Sequence, residues 1–157
     1  MTDLLAVSVA PGIFFGRIAN FINGELWGRI CVKNETFLCF TFPASGDLQL
    51  RYASQLYEAF FEGLVLFVLI SIIALIVAKN RANHNKTMLC LTQNGVLSCL
   101  FIILYGIFRF FIEYVREPDV QIGLLFNIIS MGQLLCLGMI LLGSFVLCFV
   151  FIKARQK

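Results

Sequence analysis

Residues 4–29, LLAVSVAPGIFFGRIANFINGELWGR, decide how this chain is read. The first part is a nearly unbroken apolar run. The last part, Gly16–Arg29, sets Arg17, Asn20, Asn23, Glu25 and Arg29 among the glycines Gly16, Gly24 and Gly28. About 20 apolar residues are what an α-helix needs to cross the hydrocarbon core of a bilayer. An ionised group at the end of such a run is costly unless paired or hydrated, so Arg17 reads as a functional position with Glu25 or a lipid phosphate as its partner. The competing reading is an arginine whose stem lies along the helix while its head reaches the interface. A cleaved signal peptide fits poorly: the start carries Asp3 rather than basic residues, and the run passes into the polar motif without a small-residue cleavage site. Pro11 and Gly12 predict a kink or an early break.

Outward from this stretch, the composition points the same way. Hydrophobic residues make up 60% of the 157, charged residues only 13%, and the mean hydropathy is +0.91, well above a soluble domain. The reading is an all-α integral membrane protein of about four transmembrane helices, with a small extramembrane head between the first and second. The spans fall at about 4–23, 56–78, 95–114 and 132–152, and the head at 28–55. Within the head, TFLCFTF alternates and is rich in aromatics, which predicts a short strand or hairpin before a turn at Pro43–Asp47. Gln55, Glu58 and Glu62 recur at helical spacing and share one face at the start of the second span.

The net charge of +3 does not suggest a nucleic-acid partner; where the charges fall is more informative. The loop KNRANHNKT, residues 79–87, holds Lys79, Arg81 and Lys86 with no acid, and the tail holds Lys153, Arg155 and Lys157. The positive-inside rule makes both cytoplasmic. Four spans then place both termini in the cytoplasm, with residues 28–55 and 115–128 outside. His84, the single histidine, falls in the basic loop and reads as solvated. The six cysteines show no CxxC pair, which argues against zinc. Cys31 and Cys39 share a loop where pairing in an oxidising compartment is the alternative; spacing does not fix disulfide geometry, so free thiols are the expectation.

The third span carries LYGIFRFFIEYVREPD, in which Tyr105, Arg109, Glu113 and Arg116 follow at intervals of four, four and three along one helical face. An internal Arg109–Glu113 pair is one reading. Two arginine-bearing helix ends on the same side favour the other, an anionic ligand, because guanidinium groups hold phosphate through paired hydrogen bonds. The polar groups gather at outer helix ends rather than along a path through the midplane, which disfavours a channel or transporter.

Four stretches, GRIANFINGELWGR, SQLYEAFFEG, YGIFRFFIEYVREPD and SMGQLLCLGMILLG, resemble in this order the C-terminal part of the bacterial prolipoprotein diacylglyceryl transferase family, and the resemblance covers nearly the whole chain. It implies an enzyme of the bacterial inner membrane, its active face outward, that moves a diacylglyceryl group from phosphatidylglycerol to the lipobox cysteine thiol of a prolipoprotein and releases glycerol phosphate. No metal or organic cofactor is required. By the resemblance, Arg17 binds the phosphatidylglycerol head group with Asn20 one turn on and Asn23 beyond it. Glu25 orients Arg17 or contacts the glycerol hydroxyls, and Gly24 and Gly28 let the backbone turn close to a ligand. Arg109 serves the phosphate leaving group, Tyr105 hydrogen-bonds, and Glu113 and Arg116 support them.

The chain departs from the family pattern at Ala19, where glycine is usual, and at Tyr52–Ala53, where His-Pro is usual. Family members also carry about three further spans before this region, with a histidine and glycine motif that helps activate the acceptor thiol. Residues 1–15 show no counterpart. The expectation is a truncated or split form, with a separate chain supplying those spans, or else a remnant or non-catalytic subunit that binds phospholipid.

Overall fold

The computed structural model describes residues 2–32, 37–47, 49–82, 93–117, 124–125 and 129–156. Each apolar segment of the sequence becomes a long helix: α1 (Thr2–Ile22), α2 (Ser54–Ala82), α3 (Val96–Ile112) and α4 (Met131–Arg155). Three of these are long and apolar enough to cross a membrane, and α3 is a shorter apolar helix. The polarity is inverted relative to a water-soluble protein. Leu4, Phe15, Leu75, Leu141 and Phe145 are exposed on the outside, while Gln55, Glu58, Glu62, Glu113 and Gln133 are buried. Lipid solvates the first group, and the second must find partners inside. The chain is an all-α membrane protein.

α1 runs through Pro11 without the expected break. Interrupting it there would strand backbone groups in hydrocarbon, where each is costly, whereas one missing N–H is tolerated. The second departure lies in α2, whose residues Ala59–Val65 form a π-helix. A Cβ added to Gly63 within it would sit 2.6 Å from the Phe14 Cβ, so α1 and α2 touch at the backbone here. The seam between α3 and α4 is also built on small residues, with a Cβ at Gly106 or Gly143 lying 2.9 Å from Ile140 or Ile103. Such close approach is how membrane helices gain van der Waals contact without a hydrophobic drive.

The starts of α3 and α4 are satisfied by side chains. Ser130 and Gln133 form a capping box at α4, each accepting the other's backbone N–H at 3.1 Å. The start of α3 is capped from another helix: the Asp3 carboxylate accepts Gly95 N–H at 2.8 Å, Ser98 N–H at 3.0 Å and the Ser98 hydroxyl at 3.0 Å. Asp3, which in the sequence merely argued against a signal peptide, fixes α1 to α3.

Between α1 and α2, β1 (Cys39–Thr41) pairs antiparallel with β2 (Leu50–Tyr52), Phe40 opposite Arg51. A turn through Pro43–Ser45 joins them and ends at Gly46 with φ +74°, a left-handed conformation that suits glycine. The short strands β3 (Leu124–Leu125) and β4 (Ile129–Ser130) lead into α4. Cys31 and Cys39 form a disulfide, correcting the expectation of free thiols. The fold, rather than the spacing, supplies the geometry, since Cys31 N–H donates to Leu50 O and brings that strand end beside the hairpin. His84, Lys86, Cys90, Lys157 and most of 115–128 lie outside the described residues.

Candidate functional site

The shared face of Gln55, Glu58 and Glu62 turns into the bundle, and the two carboxylates become the centre of an ion-pair cluster. Arg17 from α1 reaches Glu58 Oε2 with its Nε at 2.8 Å and Glu62 Oε2 with its Nη2 at 3.7 Å. Arg109 from α3 reaches the opposite oxygens with Nη1, Glu58 Oε1 at 2.9 Å and Glu62 Oε1 at 3.3 Å. Arg116 Nη1 stands 3.9 Å from Glu58 Oε1. The burial is uneven: the Glu58 and Glu62 side chains are 1% and 0% exposed, those of Arg17, Arg109 and Arg116 20%, 14% and 22%. The carboxylates form the floor and the guanidinium groups the lid. The π-helix belongs to this arrangement, because it alters the turn between Glu58 and Glu62 where both must face inward; such segments recur at functional sites.

Arg17, Asn20 and Tyr105 line a cleft of about 230 Å³ together with Ile13 and Gly16. Three residues from two distant motifs thus share one opening, and Arg109 lies behind it, joined to Arg17 through the carboxylates. Glu113 is held on the inner side, where it accepts the Ser130 hydroxyl at 3.1 Å and stands 3.8 Å from Arg109 Nη2. The internal Arg109–Glu113 pair is therefore the weaker of Arg109's contacts. Arg116 does not continue the helical face, because α3 ends at Ile112; the chain then turns and Arg116 forms an antiparallel bridge with Gly28.

Two expectations about the first motif need correction. Arg17 does not pair with Glu25. Glu25 is exposed on the turn after α1, where it accepts from Asn23 Nδ2 at 3.4 Å, and the deeper carboxylates of α2 take its place. Gly28 makes its close approach to the protein itself: a Cβ there would lie 2.6 Å from Val115 O and 2.8 Å from Tyr52 O. Gly28 N–H donates to Tyr52 O at 2.8 Å and Arg29 N–H to Val115 O at 2.9 Å, which seats the end of the first motif against the end of the third. Gly24 has φ +67° and turns the chain out of α1.

Sequence reasoning singled out neither Glu58 nor Glu62 as a site residue, although an i,i+4 pair of glutamates entering a long apolar helix was a signal. It also passed over Arg51. This buried side chain donates to Asp47 Oδ2 at 2.9 Å and Oδ1 at 3.3 Å, to Gly28 O at 3.4 Å and to Glu117. Hydrogen bonds from Arg51, then from Ser45, hold the Asp47 carboxyl below its ordinary range, and that partner raises the Arg51 guanidinium in turn. Among the described residues no group of His, Cys, Asp and Glu is placed to hold a metal ion.

The fold and site define a polytopic membrane protein in which one arginine, Arg17, lines a cleft and is joined through buried carboxylates to a second, Arg109. A family model described as prolipoprotein diacylglyceryl transferase matches residues 1–149. The chain is 49% identical over 155 residues to the phosphatidylglycerol–prolipoprotein diacylglyceryl transferase of Ehrlichia canis, covering 98% of this chain and 52% of that protein. To the enzyme of the same name from Rickettsia conorii it is 49% identical over 148 residues, 94% of this chain and 51% of the relative. The chain belongs to the prolipoprotein diacylglyceryl transferase family, and it spans about half the length of the curated relatives it matches.

Proposed function

We propose that this chain takes part in transferring a diacylglyceryl group from phosphatidylglycerol to the lipobox cysteine thiol of prolipoproteins, and that it supplies the part that holds the donor's head group. The observation that carries this reading is that Arg17 lines a cleft beside Asn20 and Tyr105 and is linked through the buried Glu58 and Glu62 to Arg109 behind it. In the reaction a thiolate attacks the glyceryl carbon, an S–C bond forms, the C–O bond to phosphate breaks, and glycerol phosphate leaves with the electron pair. The Arg17 guanidinium lining the cleft would hold that phosphate in position for the displacement through paired hydrogen bonds. Tyr105 offers a hydroxyl to the same cleft, and Glu113 and Arg116 brace Arg109 and Glu58. Asn23 and Glu25 stay on the exposed turn and are given no part in phosphate binding.

An apolar groove of about 330 Å³ lined by Tyr57, Phe61, Phe108, Phe111, Ile112 and Val115 runs beside the cluster and suits an acyl chain. The end of the bundle where Arg81 Nη2 donates to Asn94 at 3.0 Å and Lys153 lines a neighbouring pocket faces the cytoplasm by the positive-inside rule, which turns the cluster outward across the inner membrane. Thiol activation needs a base, since only the thiolate attacks well. A lipid-binding subunit without catalysis makes the opposing prediction. In liposomes with phosphatidylglycerol labelled in its diacylglyceryl group and a lipobox peptide, protein containing this chain should bind the lipid and pass the label to the peptide, whereas binding without transfer favours the non-catalytic subunit. Binding that does not distinguish phosphatidylglycerol from phosphatidylcholine would contradict the reading.

A further inference from the structure

The cluster sets as many carboxyl groups as guanidinium groups against one another, and this balance bears on which phosphate it admits. Arg17 and Arg109 stand against Glu58 and Glu62, and Arg116 and Glu113 complete the set, three guanidinium groups to three carboxyl groups. A site built only to capture phosphate would leave its arginines uncompensated. Here Glu58 bonds both inner arginines at 2.8 and 2.9 Å, and Glu62 spans the same two at 3.7 and 3.3 Å. Both carboxylates are sealed from solvent, where charges are weakly screened. Any anion seated on the guanidinium lid therefore feels the floor beneath it.

We propose that Glu58 and Glu62 determine the charge selectivity of the site: they hold Arg17 and Arg109 side by side and, by balancing them, admit a monoanionic phosphodiester while rejecting a dianionic phosphate monoester. The inference rests on the head-group reading above and deepens it. The donor phosphodiester carries one negative charge. When the C–O bond breaks, the electron pair goes to the phosphate oxygen and the thiol proton is lost to solvent, leaving a monoester whose second pKa is about 6, as for other phosphate monoesters. Glycerol phosphate is thus mostly a dianion at neutral pH, and the carboxylates that tolerate the substrate drive this product out. Glu58 and Glu62 touch no reacting atom; they are positioning residues that act through the arginines.

The test uses the chain in detergent micelles at pH 8 and titrates it by calorimetry with dihexanoyl phosphatidylglycerol, dihexanoyl phosphatidylmethanol and dihexanoyl phosphatidic acid. The first two are monoanionic diesters with and without the glycerol head; the third is a monoester. The parent chain should prefer both diesters over the monoester by tenfold or more. Glu62→Gln should cut that ratio at least tenfold, chiefly by tightening phosphatidic acid. Glu58→Gln should shift it the same way and weaken all three ligands, because it loosens both arginines. Should Glu58→Gln fail to fold, judged by its melting profile, Glu62→Gln with its longer contacts still decides. A ratio unchanged in Glu62→Gln, or a parent chain that favours the monoester, overturns the selectivity proposal. Arg17→Ala binding the diesters as the parent does would instead overturn the head-group reading on which it rests.

Discussion

Two arginine–carboxylate networks stand close together in this protein, and they are turned inside out relative to each other. In the hairpin, the Arg51 side chain is 9% exposed while its partners Asp47 and Glu117 are 33% and 41% exposed. In the helix cluster the carboxylates are 0–1% exposed and the arginines 14–22%. The first arrangement uses up a guanidinium: Arg51 spends its donors on Asp47, Gly28 and Glu117 and ties the hairpin to the end of α3. The second holds guanidinium groups from behind and leaves one of them, Arg17, open to a cleft. The same chemical pair thus serves as a staple in one place and a receptor in the other, and burial tells them apart.

The sharpest way to break this contrast is to remove the receptor arginines. Arg17→Ala and Arg109→Ala should each weaken phosphatidylglycerol binding by two orders of magnitude or more, and destabilise the chain by about 3–5 kcal/mol, since each leaves a buried carboxylate short of a partner. Retained binding measured by lipid titration would erase the distinction. Gly28→Ala should come next: its new methyl meets two backbone oxygens, which costs about 1–3 kcal/mol by overpacking, read as a lower melting temperature in detergent. Arg51→Ala should be milder, about 1–2 kcal/mol, because Asp47 and Glu117 can turn to water, and it should leave lipid binding unaltered. The smallest effect concerns pH. The folded Asp47 carboxyl sits below its ordinary value of 3.8, so its contribution is present above that value and fades as pH falls through the lower folded one. Hairpin resonances should persist to lower pH in the parent than in Arg51→Ala.

Much of this was legible in the sequence, for reasons of length and period. Apolar runs near 20 residues left little choice but helices, and the spacing of Gln55, Glu58 and Glu62, three residues and then four, was enough to put them on one helical face. Arg17, Asn20 and Tyr105 meet in one cleft as residues of two motifs on the same side should. What escaped was long-range. Nothing local in GRIANFINGELWGR tells that Arg17 will pass over Glu25, eight residues away, for two glutamates more than forty residues on. The π-helix hid because helical reading assumes 3.6 residues per turn, and the pairing of Cys31 with Cys39 depended on a strand register that spacing does not encode. Arg116 broke from its expected face because the chain leaves the helix after Ile112 to meet Gly28.

The most direct test of the receptor and the staple is to watch both at once. In the chain labelled with nitrogen-15 at arginine, guanidinium resonances would be followed while dihexanoyl phosphatidylglycerol is added to the micelles. The Arg17 and Arg109 signals should shift and saturate together while Arg51 stays in place. Movement of Arg51, or stationary Arg17 and Arg109 resonances at saturating lipid, would contradict the division between receptor and staple.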